Sequence, residues 1–412
     1  PWDKTAITPG TEFMKKLNAN VSSYFKKNKS SFKAKNIIIS GSDVPGEGEH
    51  KIFEYIRHNK DIHKEETTVI HGLDADLIML CLNHLHISDN IHLFRETPHF
   101  IKNISNDLDP NETYLINIKE LGDNIVEDLG NESSLSVQEK NKIIHDYIFI
   151  CLFLGNDFMP HFPSINIRTS GINILLNAYK HVISEKNEFL LKDNKIVWKN
   201  VRSFIKYLAE NENKYFREEY KLRDRYEKQF LAKNTVEEKE KYFNLIPTKE
   251  REIEKYINPY EYAWEKRYYK MLFDIEIDDS RRKQICANYM EALEWNIEYY
   301  TNGCKNWDWC YNYHYAPLLC DLSKFLPYFD TEFVEFKTQN PVTPYTQLAY
   351  VLPRNSLYLL PFNIRQELML HYENYYKLDF RFKWAFCKYF WESHVDMPRI
   401  DIEKLKEITI NT

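Results

Sequence analysis

The chain has 412 residues, 43% of them hydrophobic and 28% charged. That composition supports a packed core in roughly two or three domains and excludes a globally disordered chain. The formal net charge of -6 argues against a general basic coat for nucleic acid. It leaves room for local basic residues beside an acidic site.

Elements follow in chain order. Asn36–Ser40 is a short β-branched run that reads as a buried strand, with a turn at Gly41-Ser42-Asp43 and Pro45 at a helix start. Gly46 to His58 places Ile52, Phe53 and Ile56 at helical spacing. Thr67–Ile70 reads as a second strand, and Leu77–Leu82 as a helix. Ile91–Arg95 and Tyr114–Ile118 are further strands, and Ile143–Leu154 is a helix ending near Gly155. Strands alternating with helices predict an α/β fold with a mainly parallel sheet. From 206 to 259 the chain is rich in Lys, Glu and Arg, which reads as an exposed, charged helical connector. From 260 to 412 it is aromatic and mostly helical. The expected divisions are therefore 1–205, 206–259 and 260–412.

The seven cysteines are Cys81, Cys151, Cys286, Cys304, Cys310, Cys320 and Cys387. They form no Cys-x-x-Cys pair and sit mostly in apolar surroundings. They read as reduced thiols, as expected in the cytoplasm or nucleus. No stretch is long and apolar enough to span a membrane, and no signal peptide is visible. The sequence opens at Pro1 rather than Met, which suggests upstream protein in the same or another chain.

Three acidic clusters follow strand signals or helix ends. Glu47 and Glu49 lie in Asp43-Val44-Pro45-Gly46-Glu47-Gly48-Glu49, where the glycines allow close approach of backbone or ligand. Asp74 and Asp76 stand two residues apart after the Thr67–His71 strand. Asp157 follows an apolar helix in Leu154-Gly155-Asn156-Asp157-Phe158. Open sheets place ligand sites outside the carboxyl ends of their strands. Carboxylates gathered there repel one another unless cations lie between them. Mg²⁺ suits them because it is hard and prefers oxygen, and two such ions can drive phosphodiester hydrolysis. Each piece has a plainer reading. Asp-x-Asp caps helices, and Glu in a first turn complements the helix dipole.

The words around these carboxylates are more specific than their spacing. Ile7-Thr8-Pro9-Gly10-Thr11-Glu12-Phe13-Met14 and Ser42–Ile52 resemble the XRN family of 5′-to-3′ exoribonucleases. So do Gly72-Leu73-Asp74-Ala75-Asp76-Leu77-Ile78-Met79-Leu80 and Leu154–Pro163. Trp264–Tyr269, Trp307–Pro317 and Gln347–Pro361 continue the likeness, which covers most of the chain. The charged connector is least alike, and Asp396–Ile402 matches the family's tail only loosely.

The resemblance implies a PIN-like nuclease core of the flap-endonuclease superfamily, closed by a second helical region. It implies that Glu47, Glu49, Asp74, Asp76 and Asp157 ligate or support Mg²⁺, with Mn²⁺ as the alternative. The implied substrate is 5′-monophosphorylated single-stranded RNA, degraded processively by two-metal hydrolysis. The family's nuclease region begins well upstream of the Thr8-Pro9-Gly10 motif. It carries further metal-binding aspartates and a basic 5′-phosphate pocket there. An N-terminal segment, in this or another chain, is therefore expected to complete the site. The assembly is otherwise expected to be a monomer, with no membrane partner.

Aromatics make up 15% of the chain. Trp307, Trp309 and Trp384 are candidates to stack on bases, although packing between regions is the plainer account of them. Lys51 and Arg168 could neutralise phosphates or pair with nearby carboxylates. His50 and His161 read as supporting rather than proton-transferring groups. Two rival functions stand beside the exoribonuclease: a structure-specific 5′ nuclease on DNA, and a non-catalytic RNA-binding remnant.

Overall fold

The structure, a computed structural model, describes residues 2–95, 97, 101, 105–109, 111–130, 135–276, 278–337 and 340–410. Its helices, in chain order, begin with α1 (Glu12–Lys27), α2 (Gly48–His58), α3 (Lys60–Glu65), α4 (Asp76–Asn83), α5 (Ile118–Leu129) and α6 (Val137–Leu152). They continue with α7 (Gly171–Val182), α8 (Trp198–Glu210), α9 (Glu212–Lys228), α10 (Val236–Asn244), α11 (Glu252–Ile257) and α12 (Trp264–Phe273). The last are α13 (Asp279–Asn302), α14 (Leu319–Phe325), α15 (Pro344–Val351), α16 (Phe362–His371) and α17 (Ile402–Ile410). The strands are β1 (Thr68–His71), β2 (Ile91–Phe94), β3 (Leu115–Asn117), β4 (Leu191–Lys192), β5 (Lys195–Ile196), β6 (Phe382–Lys383) and β7 (His394–Val395).

Local chemistry sets many of these boundaries. Ser136 and Glu139 form a capping box at the start of α6, and Thr235 and Glu238 form one at α10. Thr343 caps α15, with Pro344 at its first position, where a missing N–H costs nothing.

The chain divides into two compact units. The first comprises residues 1–51, 338–384 and 393–412, and the second comprises 52–337 and 385–392. Both are assembled from separated stretches. In the first unit, α15, α16 and α17 bury Leu348, Leu352, Ile364, Leu368 and Leu405 around Tyr376. In the second, β1, β2 and β3 form a sheet in that order. β1 pairs parallel with β2, Thr68 opposite Ile91, and α4 lies between them in sequence as the crossover a parallel pair needs. Buried Leu80, Phe149, Phe153, Phe162, Phe204, Tyr289 and Leu293 make the main core of this unit. Phe216, Trp264, Tyr268, Tyr269 and Phe386 make a second, aromatic core.

The structure bears out an α/β chain that is mostly helical, with three corrections. The sheet is small and mixed rather than mainly parallel: β3 runs antiparallel to β2, Leu93 opposite Ile116. An antiparallel strand beside a parallel pair is a common mixed arrangement. Asn36–Ser40 forms no strand. Ile38 is 65% exposed there, and no described strand pairs with the segment, so β-branching alone did not make a ladder. The charged connector is a solvated face at α10, which buries no residue, but not at α9 and α11. Glu212, Glu219, Arg223, Arg251 and Glu254 are buried. Glu254 accepts from Arg223 Nε at 2.7 Å and from Arg251 Nε at 2.6 Å. Charges enter a core when they are paired and hydrogen-bonded, which a count of charges cannot reveal.

All seven cysteines are free thiols. Burial pushes the Cys81 thiol up to about 12, so it is an inert packing group. Among the described residues, no helix is long and apolar enough to cross a membrane.

Candidate active site

In the first unit the chain turns sharply before α2, with Gly46 at φ +94°, a conformation that favours glycine. Glu47 follows it and immediately precedes α2; its carbonyl accepts the Lys51 N–H at 3.1 Å. Glu49 lies in the first turn of α2. Both glutamates are half-buried. His50 is buried, with Nε2 3.9 Å from Glu47 Oε2. Lys51 Nζ donates to the carbonyls of Gly41 at 2.7 Å and Val44 at 3.2 Å, which pins the loop carrying the glutamates. Asn18 Nδ2 ties the same loop to α1 through Ser42 Oγ at 2.8 Å.

In the second unit, Asp74 lies in the loop between β1 and α4, and Asp76 is the first residue of α4. Asp74 is exposed, and its Oδ1 accepts the Asp76 N–H at 3.2 Å. Arg95, just past β2, donates from Nη2 to the Leu73 carbonyl at 2.8 Å. It therefore sets a cation against the loop that carries Asp74.

Asp157 sits at the tip of a tight turn after α6 and is exposed. Gly155 takes φ +81°, and a Cβ there would stand 2.7 Å from the backbone nitrogen of His161. Asn156 ties the turn from inside. Its Oδ1 accepts the N–H groups of Phe158 at 3.0 Å and Met159 at 3.1 Å, while its Nδ2 donates to Asn296 of α13 at 2.7 Å. Phe158 anchors the far side on Trp295 and Tyr299, with ring centroids at 4.9 and 5.3 Å. Asp157 therefore projects from a rigid base. Burial holds the nearby His161 ring down to about 4, so it stays neutral near pH 7.

Glu47 and Glu49 belong to the first unit, and Asp74, Asp76 and Asp157 to the second. Among the described residues, no group of three or more His, Cys, Asp or Glu side chains could by itself hold a metal ion. The donor chemistry nonetheless fits Mg²⁺, because every candidate ligand is a carboxylate. Mg²⁺ is usually held by one or two protein carboxylates and keeps waters and substrate phosphates as its other ligands. Asp74 and Asp76, two residues apart around the start of α4, suit that mode.

The remaining candidates divide. Trp309 stacks on Trp295 at 5.1 Å and donates from Nε1 to Glu291 Oε2 at 3.3 Å, half-buried. Trp307 is half-buried in the loop after α13. Trp384 is half-buried in the first unit, directly after β6. Arg168 pairs with Glu392 Oε1 at 2.6 Å and lies over the Tyr389 ring at 5.5 Å. Reading the sequence alone missed Asn156 and Arg95. The signal for Asn156 was its place after a glycine in a turn; for Arg95 it was a cation leaving the strand beside the Asp74 loop.

The chain matches the family model described as XRN 5′-3′ exonuclease N-terminus over residues 1–97. It matches the model described as Xrn1 helical domain over residues 137–257 and 247–411. It is 27% identical to 5′-3′ exoribonuclease 2 of Arabidopsis thaliana, over 98% of this chain and 51% of that protein. It is 29% identical to 5′-3′ exoribonuclease 1 of Homo sapiens, over 98% of this chain and 26% of that one. For 5′-3′ exoribonuclease 1 of Schizosaccharomyces pombe the identity is 28%, over 98% and 38%. The chain thus spans about half or less of the length of these relatives. With family models matched from residue 1 to 97 and from 137 to 411, the chain belongs to the XRN family of 5′-3′ exonucleases.

Proposed function

We propose that this chain works in a metal-dependent 5′-to-3′ exoribonuclease that degrades 5′-monophosphorylated single-stranded RNA processively. The observation that carries the reading is that Glu47, Asp74, Asp76 and Asp157 each stand in or beside a turn whose shape other residues hold. Gly46 and Lys51 hold the first turn, Arg95 braces the Asp74 loop, and Gly155 and Asn156 hold the third. These turns lie within the family words, and the relatives are named exoribonucleases.

In this reading Glu47, Glu49, Asp74, Asp76 and Asp157 hold Mg²⁺ in a PIN-like core. A bound divalent ion supplies a Lewis acid and lowers the pKa of its water. The chain's own groups orient and exclude. Asp74 and Asp157 face solvent, where a phosphate can reach them. Arg95 and Lys51 set positive charge against the carboxylate loops while anchored to backbone carbonyls. Lys51, Arg168, Trp307, Trp309 and Trp384 are the proposed RNA contacts, the aromatics by stacking on bases.

The test uses the full-length polypeptide that contains this sequence. With Mg²⁺, 5′-monophosphorylated RNA is expected to be lost to mononucleotides, and its 5′-hydroxyl counterpart to persist. Asp157→Asn and Asp74→Asn should each lower the rate on the order of 10³-fold, given several kcal/mol of metal assistance. Cleavage of DNA flaps with RNA left intact would replace this reading with the DNA nuclease. RNA binding without metal-dependent loss would replace it with the non-catalytic remnant.

A further inference from the structure

Within the second unit, a cleft of about 420 Å³ opens between the loop 164–170, which leads into α7, and one face of α9. Ser164, Thr169 and Ser170 line it from the loop. Glu218, Lys221, Leu222 and Arg225 line it from α9, at the spacing that puts side chains on one helix face. None of these residues belongs to the carboxylate turns or to the RNA contacts proposed above.

The loop is folded tightly onto the start of α7. The Asn166 carbonyl accepts the N–H groups of Thr169 at 3.1 Å and Gly171 at 2.9 Å, and a Cβ on Gly171 would stand 2.6 Å from that carbonyl oxygen. Ser170 makes no capping bond to α7, and among the described residues the N–H groups of Ile172 and Asn173 have no acceptor. Open donors at a helix start favour an anion. An independent feature also points to a ligand. Ser164 is 5% exposed and lines the cleft, yet its hydroxyl has no hydrogen-bond partner among the described residues. A buried hydroxyl left in that state costs free energy that a polar group of a ligand would recover.

Charge narrows the ligand. Lys221 and Arg225 stand one turn apart on α9, both exposed and neither paired among the described residues. With the start of α7 they offer a phosphate its counter-charge. Two carboxylates limit how much negative charge can enter. Glu219 is 9% exposed and accepts from Thr169 Oγ1 at 3.2 Å, and Glu218 shares the wall with it. A strand with a phosphate on every residue would meet like charge there. A single nucleotide would not, because a carboxylate accepts ribose hydroxyls. Tyr215 and Leu222, both half-buried in the lining, supply apolar surface for a base. The volume lies in the range of small-molecule sites.

We propose that this cleft binds a single ribonucleoside 5′-monophosphate, its phosphate at Lys221, Arg225 and the start of α7 and its ribose hydroxyls on Glu219. The inference deepens the proposed function, because such a mononucleotide is the product that reaction releases, and it rests on that reading only for the source of the ligand. The test is equilibrium dialysis of radiolabelled adenosine 5′-monophosphate against the full-length polypeptide in EDTA, where neither hydrolysis nor metal-held phosphate contributes. Saturable binding is expected, with adenosine and inorganic phosphate each competing poorly. Arg225→Glu and Lys221→Glu should each weaken it roughly 10- to 100-fold, the value of a hydrogen bond to a charged group. Ser164→Ala should weaken it roughly 2- to 10-fold. Lys221 and Arg225 are too exposed for their replacement to unfold the unit. Absence of binding, or wild-type affinity in Arg225→Glu, overturns the proposal. Inorganic phosphate competing as well as the nucleotide does so too, since the cleft is then an adventitious anion site. Displacement by a 5′-hydroxyl adenosine decanucleotide as readily as by the mononucleotide also overturns it, in favour of a strand. Nucleotide binding that depends on Arg225 in a protein that never degrades RNA would sink the exoribonuclease reading and leave this site standing. RNA degradation without that binding would do the reverse.

Discussion

Glu254 is the point at which the charged connector is most exposed to challenge. It is 1% exposed and takes both neighbouring guanidinium groups, Arg223 and Arg251, each 2% exposed. It also accepts the Phe386 N–H at 2.8 Å, which docks residues 385–392 onto α11. Glu254→Ala removes every one of these bonds and leaves two buried cations without their shared carboxylate. Breaking a buried pair from one side costs about 3–5 kcal/mol. Arg251 keeps Asp224 at 2.7 Å and Arg223 keeps the Cys387 carbonyl at 2.9 Å, so the loss falls toward the lower end of that range. At about 2 °C per kcal/mol for a unit of this size, Tm should fall by roughly 6–10 °C. The assay is thermal and urea denaturation followed by tryptophan fluorescence, with Lys255→Ala as control. Lys255 pairs with Glu227 at the surface and should change stability by less than about 1 kcal/mol. Replacing Arg223, Arg251 and Glu254 together by Met should recover much of the loss, because the desolvation cost of all three charges disappears. A Glu254→Ala protein within about 0.5 kcal/mol of wild type would refute the buried network and restore the solvated-face reading.

Gly155→Ala forces an alanine to φ +81° against the His161 backbone, at a cost of about 1–2 kcal/mol from conformation alone. RNA turnover should fall more than stability does, and unchanged turnover would separate Asp157 from catalysis. Asn156→Ala frees two turn N–H groups and the bond to Asn296, and should destabilise by roughly 1–3 kcal/mol in denaturant. Burial holds the His145 ring down to about 4, below its ordinary 6.5. Between those values the unfolded chain binds a proton that the folded chain refuses, so this group's contribution falls as pH falls, by about 1.4 kcal/mol per unit. Asp146 and Glu212, both raised to about 7 by burial, act in the opposite sense at pH values below that, so the total slope is not diagnostic. The difference between wild type and His145→Asn is diagnostic. That variant should lose stability less steeply from pH 6.5 to 4, and parallel curves would refute a buried neutral ring.

The sequence was most legible where one local rule decides. The β1 and β2 strands and helices α2 and α4 lie close to where periodicity put them, each feeding a single core, while α6 begins at Val137 rather than at Ile143. It was least legible where partners lie far along the chain. Ile37, Ile38 and Ile39 have the composition of a strand, but a strand is a relation between two segments, and no described partner exists. Glu212 looks like one more surface charge, yet its carboxylate accepts the N–H groups of Leu319 and Cys320, more than a hundred residues away. Arg223 and Glu254 are 31 positions apart, and nothing within either helix reveals their bond.

The candidate site shows the same division more sharply. Its carboxylates were visible as residues, but a carboxylate after a strand or at a helix start has several plain uses, and nothing in Asp74 or Asp157 alone chooses between them. What made the surrounding words specific was largely residues that cannot touch a metal. Gly46 and Gly155 take positive φ. Asn156 closes its turn through three side-chain bonds, and Lys51 spends its ammonium on two loop carbonyls. A ligand must be held within fractions of an ångström of its working position, and residues around it supply that precision. The recognisable part of such a motif is therefore its scaffold. It follows that substitutions in the scaffold and in the carboxylates should fail differently. Asp157→Asn should keep the turn and lose turnover on the order of 10³-fold. Gly155→Ala should keep the carboxylate, shift it, and lose turnover in part, with an altered dependence on Mg²⁺ concentration. If the two variants titrate with Mg²⁺ alike, the turn positions nothing, and Asp157 is a surface residue with a familiar neighbourhood.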